Sequence, residues 1–129
     1  PAAETRLLCA GEAQQFRDVS TVNADGELWE LEFETPLHGV MLNIAGTDLW
    51  IDSAAGVLRS NAGEYPLPHT EKPLRWRAWL DRNTLELFES EGRFWLPLPI
   101  QRRPEPVISV PQGGPLAAVT LRPLQTIWR

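Results

Sequence analysis

The chain has 129 residues, of which 43% are hydrophobic and 22% are charged, which is typical of a single globular domain. Its formal net charge of −5 disfavours a nucleic-acid partner, because phosphate binding needs a basic surface. No apolar run approaches the roughly 20 residues that span a bilayer, so we expect no membrane partner. The single cysteine, Cys9, excludes an internal disulfide and a multi-cysteine zinc site.

Period-two alternation of apolar and polar residues recurs along the chain, whereas no segment keeps a helical period for three turns. In chain order the alternating segments are ELWELEFE (27–34), VMLNI (40–44), LRWRAWLD (74–81), RFWLPLPI (93–100) and AAVTLRPL (117–124). Each has one apolar face, which in the last segment holds Ala117, Val119 and Leu121. This pattern predicts an all-β fold, a two-sheet antiparallel β-sandwich of the jelly-roll or concanavalin-like type.

One segment departs from the alternation. Residues 102–114, RRPEPVISVPQGG, are rich in proline and glycine. Proline has no backbone N–H to donate to a neighbouring strand. We therefore predict an edge strand or a loop for this segment.

The stretch DRNTLELFESEGRF, residues 81–94, predicts a β-hairpin with Arg82-Asn83 as a two-residue turn. On the core face this register pairs Leu80 with Leu85 and Ala78 with Leu87. On the outer face it pairs Asp81 with Thr84, Trp79 with Glu86, and Arg77 with Phe88. This second face has two interpretations. It is either a solvated surface whose ion pairs contribute about 0–1 kcal/mol each, or a sugar site with an aromatic platform and polar side chains that bind hydroxyl groups.

The longer stretch LRWRAWLDRNTLELFESEGRFWL (74–96) resembles the C-terminal β-sandwich of glycoside hydrolase family 32, which includes invertases, levanases, inulinases and sucrose-6-phosphate hydrolases. The matching residues are Asp81, Arg82, Leu85, Glu86, Phe88, Gly92 and Arg93. LWIDSAAGVLRS (49–60) is similar to a strand-turn-strand unit of that family at Asp52, Gly56 and Arg59, and LRPLQTIW (121–128) is similar to its last strand.

The resemblance implies a domain organisation, with residues 1–10 as a linker from a preceding propeller-like domain and residues 11–129 as the sandwich. In that family the catalytic carboxylates lie in the propeller, in motifs such as NDPNG, RDP and EC. None of these occurs here, so no residue is predicted to be catalytic. We expect a non-catalytic module that supports the catalytic propeller of a β-fructosidase-like glycoside hydrolase acting on β-fructofuranosides. The alternative is a module that binds fructan, either levan or inulin.

The resemblance also implies a candidate carbohydrate site. The related family 66 carbohydrate-binding modules use acidic and arginine side chains on one sheet face to bind the terminal fructose of levan. The corresponding candidates here are Asp52, Arg59, Arg77, Trp79, Asp81 and Glu86. We expect Asp52, Arg59, Asp81 and Glu86 to converge in space.

The remaining residues add few functional candidates. His38 and His69 lie far apart with no third ligand at metal spacing, so we predict neither a metal nor a cofactor. Trp79 and Trp95 are predicted on outer faces, where exposed aromatic rings mark contacts. Trp50, Trp95 and the proline-rich segment 102–114 are candidates for an apolar face that docks on a propeller. The compartment stays open between secreted and cytoplasmic.

Overall fold

The computed structural model describes residues 5–9, 13–24, 28–100 and 106–128. Within these ranges the chain forms strands and no helix. In chain order the strands are β1 (Thr5–Cys9), β2 (Gln14–Val19), β3 (Thr21–Val22), β4 (Trp29–Thr35), β5 (Val40–Ile44), β6 (Thr47–Asp52), β7 (Val57–Ser60), β8 (Gly63–Pro66), β9 (Leu74–Leu80), β10 (Thr84–Glu89), β11 (Trp95–Pro99), β12 (Ile108–Gln112) and β13 (Leu116–Trp128). A helix long and apolar enough to cross a membrane is therefore not found in the described part of the chain.

The strands form two antiparallel sheets that share one hydrophobic core. The seven-stranded sheet has the order β1-β13-β4-β9-β10-β11, with β2 also pairing with β13, and the six-stranded sheet has the order β3-β12-β5-β6-β7-β8. Strand β13 is long enough to pair with β4 on one side and with both β1 and β2 on the other. The predicted two-sheet β-sandwich is confirmed.

The core follows from the alternation in the sequence, because successive side chains of a strand point to opposite faces of its sheet. Both sheets direct their apolar positions inward, and the largest fully buried side chains are Trp76, Leu31, Leu42, Ile44, Leu49, Ile51, Leu58, Leu80, Leu85, Leu87, Ile108 and Leu116. The buried indole of Trp76 donates its Nε1–H to the hydroxyl of Thr35 at 2.9 Å. The core therefore satisfies the polar atom of its largest side chain.

The hairpin formed by β9 and β10 has the predicted register. Leu85 pairs with Leu80, Leu87 with Ala78, Glu86 with Trp79 and Phe88 with Arg77. The backbone N–H of Asp81 donates to the carbonyl of Thr84 at 3.0 Å, which closes the turn. The sequence pattern alone was thus sufficient to assign both faces of this hairpin.

The prediction of an edge strand or loop for residues 102–114 is wrong over Ile108–Gln112, which form β12. Strand β12 lies inside the six-stranded sheet and pairs with both β3 and β5. The structure accommodates Pro111 in this strand because β3 is only two residues long and pairs only with Ile108 and Ser109. Pro111 lies beyond that pairing, where the ladder with β5 also shifts its register between Ser109 and Gln112. Residues 102–105 lie outside the described ranges.

The predicted core face of β13 is wrong at one position. Val119 and Leu121 are buried as expected, but Ala117 is exposed and Leu116 is buried instead. The partner strand explains the change, because Asp18 of β2, opposite this point, has a left-handed backbone with φ of 52°. Such a residue interrupts the regular alternation of an antiparallel pair.

The predicted linker contains a strand. Thr5–Cys9 form β1 and pair with the last part of β13, so these five residues are part of the seven-stranded sheet. The other residues between 1 and 10, and the side chain of Cys9, lie outside the described part. The boundary with a preceding domain stays a prediction.

Candidate functional site

Three of the six predicted binding residues lie together on the outer face of the seven-stranded sheet. Arg77 and Trp79 project from β9 and Glu86 projects from β10, next to Trp79 in the register. We name this surface the charged-aromatic face. It comprises Glu30, Glu32, Glu34, Arg75, Arg77, Trp79, Glu86, Phe88, Trp95 and Arg122.

Ion pairs cross three strands of the charged-aromatic face. Arg77 of β9 lies with Nε 3.0 Å from Glu30 and Nη2 3.4 Å from Glu32 of β4. Arg122 of β13 approaches the same oxygen of Glu32 at 2.9 Å. These contacts arise because the alternation of β4 directs every glutamate outward toward its cross-strand arginine partners. Arg77 therefore contacts two glutamates of β4, and Glu32 contacts two arginines.

The aromatic part of the face lies on β9, β10 and the edge strand β11. The ring centroids of Trp79 and Phe88 are 5.7 Å apart with planes at 61°, and those of Phe88 and Trp95 are 6.5 Å apart with planes at 23°. Trp79 and Trp95 are 38% and 57% exposed. Both tryptophans were predicted on outer faces, and the structure confirms this. The three rings form one apolar strip beside the ion pairs.

A depression of about 550 Å³ lies on this face, over β13, β4, β9 and the end of β10, and neither Glu86 nor Trp95 lines it. Its lining residues are Glu32, Phe33, Glu34, Arg75, Trp76, Arg77, Trp79, Phe88, Glu89, Ser90, Ala118 and Thr120. The lining combines charged side chains of β4 and β9 with the smaller residues Ser90, Ala118 and Thr120. A cavity of this volume is within the range that small-molecule ligands occupy.

Glu86 is a half-buried carboxylate of this face, as are the glutamates of β4. It lies between Trp79 on β9 and Pro97 on β11. Among the described residues its side chain has neither a hydrogen bond nor an ion pair. Its carboxylate oxygens are therefore available to accept hydrogen bonds from a ligand, whereas the other glutamates of the face contact arginines.

Asp81 serves the hairpin turn instead of the face. Its Oδ1 accepts hydrogen bonds from the backbone N–H of Asn83 at 2.9 Å and from the backbone N–H and hydroxyl of Thr84, both at 2.8 Å. An aspartate that binds backbone groups two and three residues ahead fixes the turn conformation. The geometry gives Asp81 a structural role at the end of the hairpin.

Asp52 and Arg59 lie on the other sheet. Asp52 of β6 accepts a hydrogen bond from the N–H of Ala55 at 3.0 Å, and Arg59 of β7 lies 3.3 Å from Glu64. The adjacent residues Ile51 and Leu58 are buried in the core, so Asp52 and Arg59 project outward from the six-stranded sheet. This outer surface is on the other side of the sandwich from the charged-aromatic face. The expected convergence of these two residues with Asp81 and Glu86 is therefore wrong.

Trp50 and Trp95, expected together on one docking face, lie on different sheets. Trp50 projects from the outer side of β6 in the six-stranded sheet, where its ring lies against Gly39. Trp95 projects from the outer side of β11 in the seven-stranded sheet. Two residues on opposite outer surfaces of a sandwich do not share one face, so only Trp95 belongs to the charged-aromatic face.

The sequence reasoning missed Glu89, the most buried carboxylate of the described residues. It accepts hydrogen bonds from the N–H of Glu91 at 2.7 Å and from Nε of Arg93 at 2.8 Å, and is 2% exposed. Burial raises the pKa of Glu89, but the bonds from the Arg93 side chain and from two backbone N–H groups outweigh it and hold the pKa below its ordinary value. The clue in the sequence was Glu89 at an inward-facing position of the hairpin.

The described residues contain no group of three or more His, Cys, Asp and Glu side chains arranged to hold a metal ion. His38 instead contacts the backbone carbonyl of Gly113 through Nε2 at 2.9 Å. This contact joins the turn after β4 to the turn before β13. We assign His38 a structural position.

Comparison with solved structures finds the same fold in glycoside hydrolases. Sucrose-6-phosphate hydrolase from Lactobacillus gasseri matches with a TM-score of 0.70 and 12% identity, over 89% of this chain and 28% of that chain. The chain has the fold of a β-sandwich module of such hydrolases. A β-fructofuranosidase from Schwanniomyces occidentalis complexed with fructosyl-erythritol matches with a TM-score of 0.54 and 11% identity, over 92% of this chain and 34% of that chain.

These matches confirm, at the level of the fold, the resemblance that the hairpin motif predicts. The chain spans about a third or less of the length of either enzyme. No family model matches the chain, and no curated protein matches it in sequence. The likeness that the comparisons show therefore lies in the architecture, at 11–12% sequence identity.

Proposed function

We propose that this chain is a non-catalytic β-sandwich module of a glycoside hydrolase that acts on β-fructofuranosides, and that it supports the catalytic propeller of that enzyme. The observation that carries the proposal is the structural match to a sucrose-6-phosphate hydrolase over 89% of this chain but only 28% of the other. The propeller motifs that hold the catalytic carboxylates in the resembled family are missing from the sequence. Retaining hydrolysis needs two carboxyl groups about 5–5.5 Å apart across a sugar-binding cleft, and in the resembled family the propeller supplies them.

The first test asks whether the chain alone is catalytically inactive and whether it stabilises a propeller. The purified chain is incubated with sucrose, inulin and levan, and we expect no release of fructose. The gene's upstream reading frame is then read for a propeller. If one is present, the propeller is expressed with and without this module, and we expect a lower Tm without it. Fructose release by the purified chain, or a propeller whose Tm and activity do not change when the module is removed, contradicts the proposal.

A second candidate function is carbohydrate binding by the charged-aromatic face. The observation that favours it is the combination of an exposed ring, Trp79, with a carboxylate beside it, Glu86, that lacks a partner among the described residues. Tryptophan faces offer flat apolar surfaces, and carboxylates accept hydrogen bonds from hydroxyl groups. Every arginine of the face is already paired with a glutamate, which favours a neutral sugar over a phosphorylated one.

Calorimetric titration with levan and with inulin tests this candidate. We expect binding that is lost in Trp79→Ala and in Glu86→Ala without a matching loss of Tm. The control variant is Arg59→Ala, because Arg59 is an exposed charged residue on the opposite sheet. No binding to either polymer excludes the candidate, and equal loss of binding in the control places the sugar elsewhere on the sandwich.

A further inference from the structure

Strand β11 forms one edge of the seven-stranded sheet, and its sequence alternates between inward leucines and outward prolines. Leu96 and Leu98 are buried, at 7% and 3% exposure, whereas Trp95, Pro97 and Pro99 are exposed. The edge of a sheet presents a row of unpaired backbone groups that another strand can pair with. The direction of each backbone N–H in β11 therefore decides whether this edge can accept a further strand.

Two hydrogen bonds fix these directions. Glu89 N donates to the carbonyl of Phe94 at 2.9 Å, and Ile100 N donates to the carbonyl of Asn83 at 2.8 Å, with a constant register between them. Hydrogen-bonded and non-hydrogen-bonded pairs alternate along an antiparallel ladder. The two leucines of β11 are therefore the positions that bond with β10. The backbone groups of Trp95 and of the two prolines point away from β10, toward the open edge.

Proline is therefore found at two of the three positions whose N–H would face an incoming strand. It has no N–H, and its ring carbon Cδ occupies the space where the hydrogen would lie. A strand approaching β11 would find a single donor, at Trp95, and would meet the rings of Pro97 and Pro99. The outward carbonyl groups still accept hydrogen bonds from water or side chains, but they cannot complete a regular ladder.

The edge of the other sheet carries the same feature. Leu67 N donates to the carbonyl of Gly56 at 2.9 Å, and the register of β7 with β8 then directs the backbone of Pro66 outward by the same alternation. The rings of Tyr65 and Phe94 lie 6.4 Å apart, which places β8 and β11 on the same side of the sandwich. Both edges on this side thus carry an outward-facing proline.

We propose that Pro66, Pro97 and Pro99 close this side of the sandwich to strand addition, so that a second copy of this chain cannot extend either sheet there. Without its prolines, β11 would be an alternating apolar edge strand with an exposed tryptophan, which is the type of edge that associates with other chains. A protein that binds this side of the sandwich then contacts its side chains and does not pair with its edge strands. The inference is independent of the proposed function, because it rests on strand pairing and on the positions of the prolines.

The test restores the missing donors. The double variant Pro97→Thr/Pro99→Thr gives both positions an outward N–H and a residue favoured in strands. The control is Pro73→Thr, an exposed proline in the loop before β9. Size-exclusion chromatography with light scattering measures the mass of each protein across a dilution series. We expect a monomer for the parent chain and the control, and a mass that at least doubles with concentration for the double variant.

Amide hydrogen exchange identifies where the variant associates. The new amides at positions 97 and 99 should exchange rapidly in dilute samples and become protected as the mass increases. If circular dichroism shows that the double variant does not fold, the single variant Pro99→Thr, at the end of the strand, is measured in the same way. A folded variant that stays monomeric at every concentration, or that associates while its new amides stay unprotected, overturns the proposal.

Discussion

The buried carboxylate of Glu89 provides the sharpest test of how the hairpin is held together. We consider the change Glu89→Gln, which keeps the shape of the side chain and removes its charge. The carboxylate accepts hydrogen bonds from the N–H of Glu91 at 2.7 Å and from Nε of Arg93 at 2.8 Å, with a longer bond from the N–H of Arg93 at 3.3 Å. Glutamine has only one acceptor oxygen, so its amide NH₂ group must face at least one of these donors.

A hydrogen bond to a charged group contributes about 1.5–3 kcal/mol, and a buried donor left without a partner costs about 1–3 kcal/mol. Because the glutamine oxygen retains part of the pattern, we expect Glu89→Gln to lower the free energy of unfolding by about 2–3 kcal/mol. At about 4 °C per kcal/mol for a chain of this size, the Tm should fall by roughly 8–12 °C. Thermal unfolding followed by circular dichroism measures this shift.

The control is Glu91→Gln, since Glu91 also pairs with Arg93, at 3.0 Å, but its side chain is 70% exposed. An exposed ion pair contributes about 0–1 kcal/mol, so the control should change Tm little. If the two variants lose the same amount of stability, burial is not what makes Glu89 important and the reasoning fails.

The same residue predicts a pH dependence. The pKa of Glu89 is lowered in the folded state, so its contribution to stability is present above the unfolded-state pKa of about 4.3 and is lost as the pH falls through the folded-state pKa. The Tm difference between the parent chain and Glu89→Gln should therefore be largest near neutral pH and shrink in acid. A difference that grows as the pH falls would mean that the folded-state pKa is raised instead.

Two further predictions concern the core and one turn. Thr35→Val should cost about 1–3 kcal/mol in the free energy of unfolding measured with urea, because it leaves the buried N–H of Trp76 without its acceptor; an unchanged value would mean that the indole finds another partner. Gly113 and Gly114 both have a positive φ, of 106° and 88°, so alanine is strained at either position. Gly113→Ala should lower Tm more than Gly114→Ala, because only the Cβ at position 113 would lie 2.8 Å from the carbonyl oxygen of Gly39. Equal shifts in the two alanine variants would show that backbone strain alone matters.

The fold was predictable because the period-two pattern is strong wherever a strand has one buried face. The register of the hairpin around Arg82-Asn83 follows from the requirement that Leu85 and Leu87 face the core. The position of β12 was not predictable from local composition. Whether a proline is tolerated depends on how far the neighbouring strand extends, and the two-residue length of β3 is a property of the tertiary structure.

The candidate site was predictable only within one sheet. Trp79 and Glu86 are neighbours through a local hairpin, so the pattern of the sequence fixes their distance. Asp52 and Arg59 match the family motif equally well, yet the sequence pattern does not say which sheet each hairpin joins. Two strands with the same alternation have their outward side chains on one surface if they join the same sheet, and on opposite surfaces if they join different sheets. The order in which the strands pair decides between the two. That order depends on long-range contacts.

In the hairpin formed by β9 and β10, the residues that stabilise the fold and those that could bind a ligand lie on opposite faces. Its inward positions, Leu85, Leu87 and Glu89, are all buried, and the last of these holds the following turn. Its outward positions, Glu86 and Phe88, lie on the charged-aromatic face. Because successive positions of a strand face opposite sides, a substitution at Glu86 leaves the buried leucines and the contacts of Glu89 in place. A sugar-binding role for Glu86 is therefore testable by mutation in a chain that stays folded.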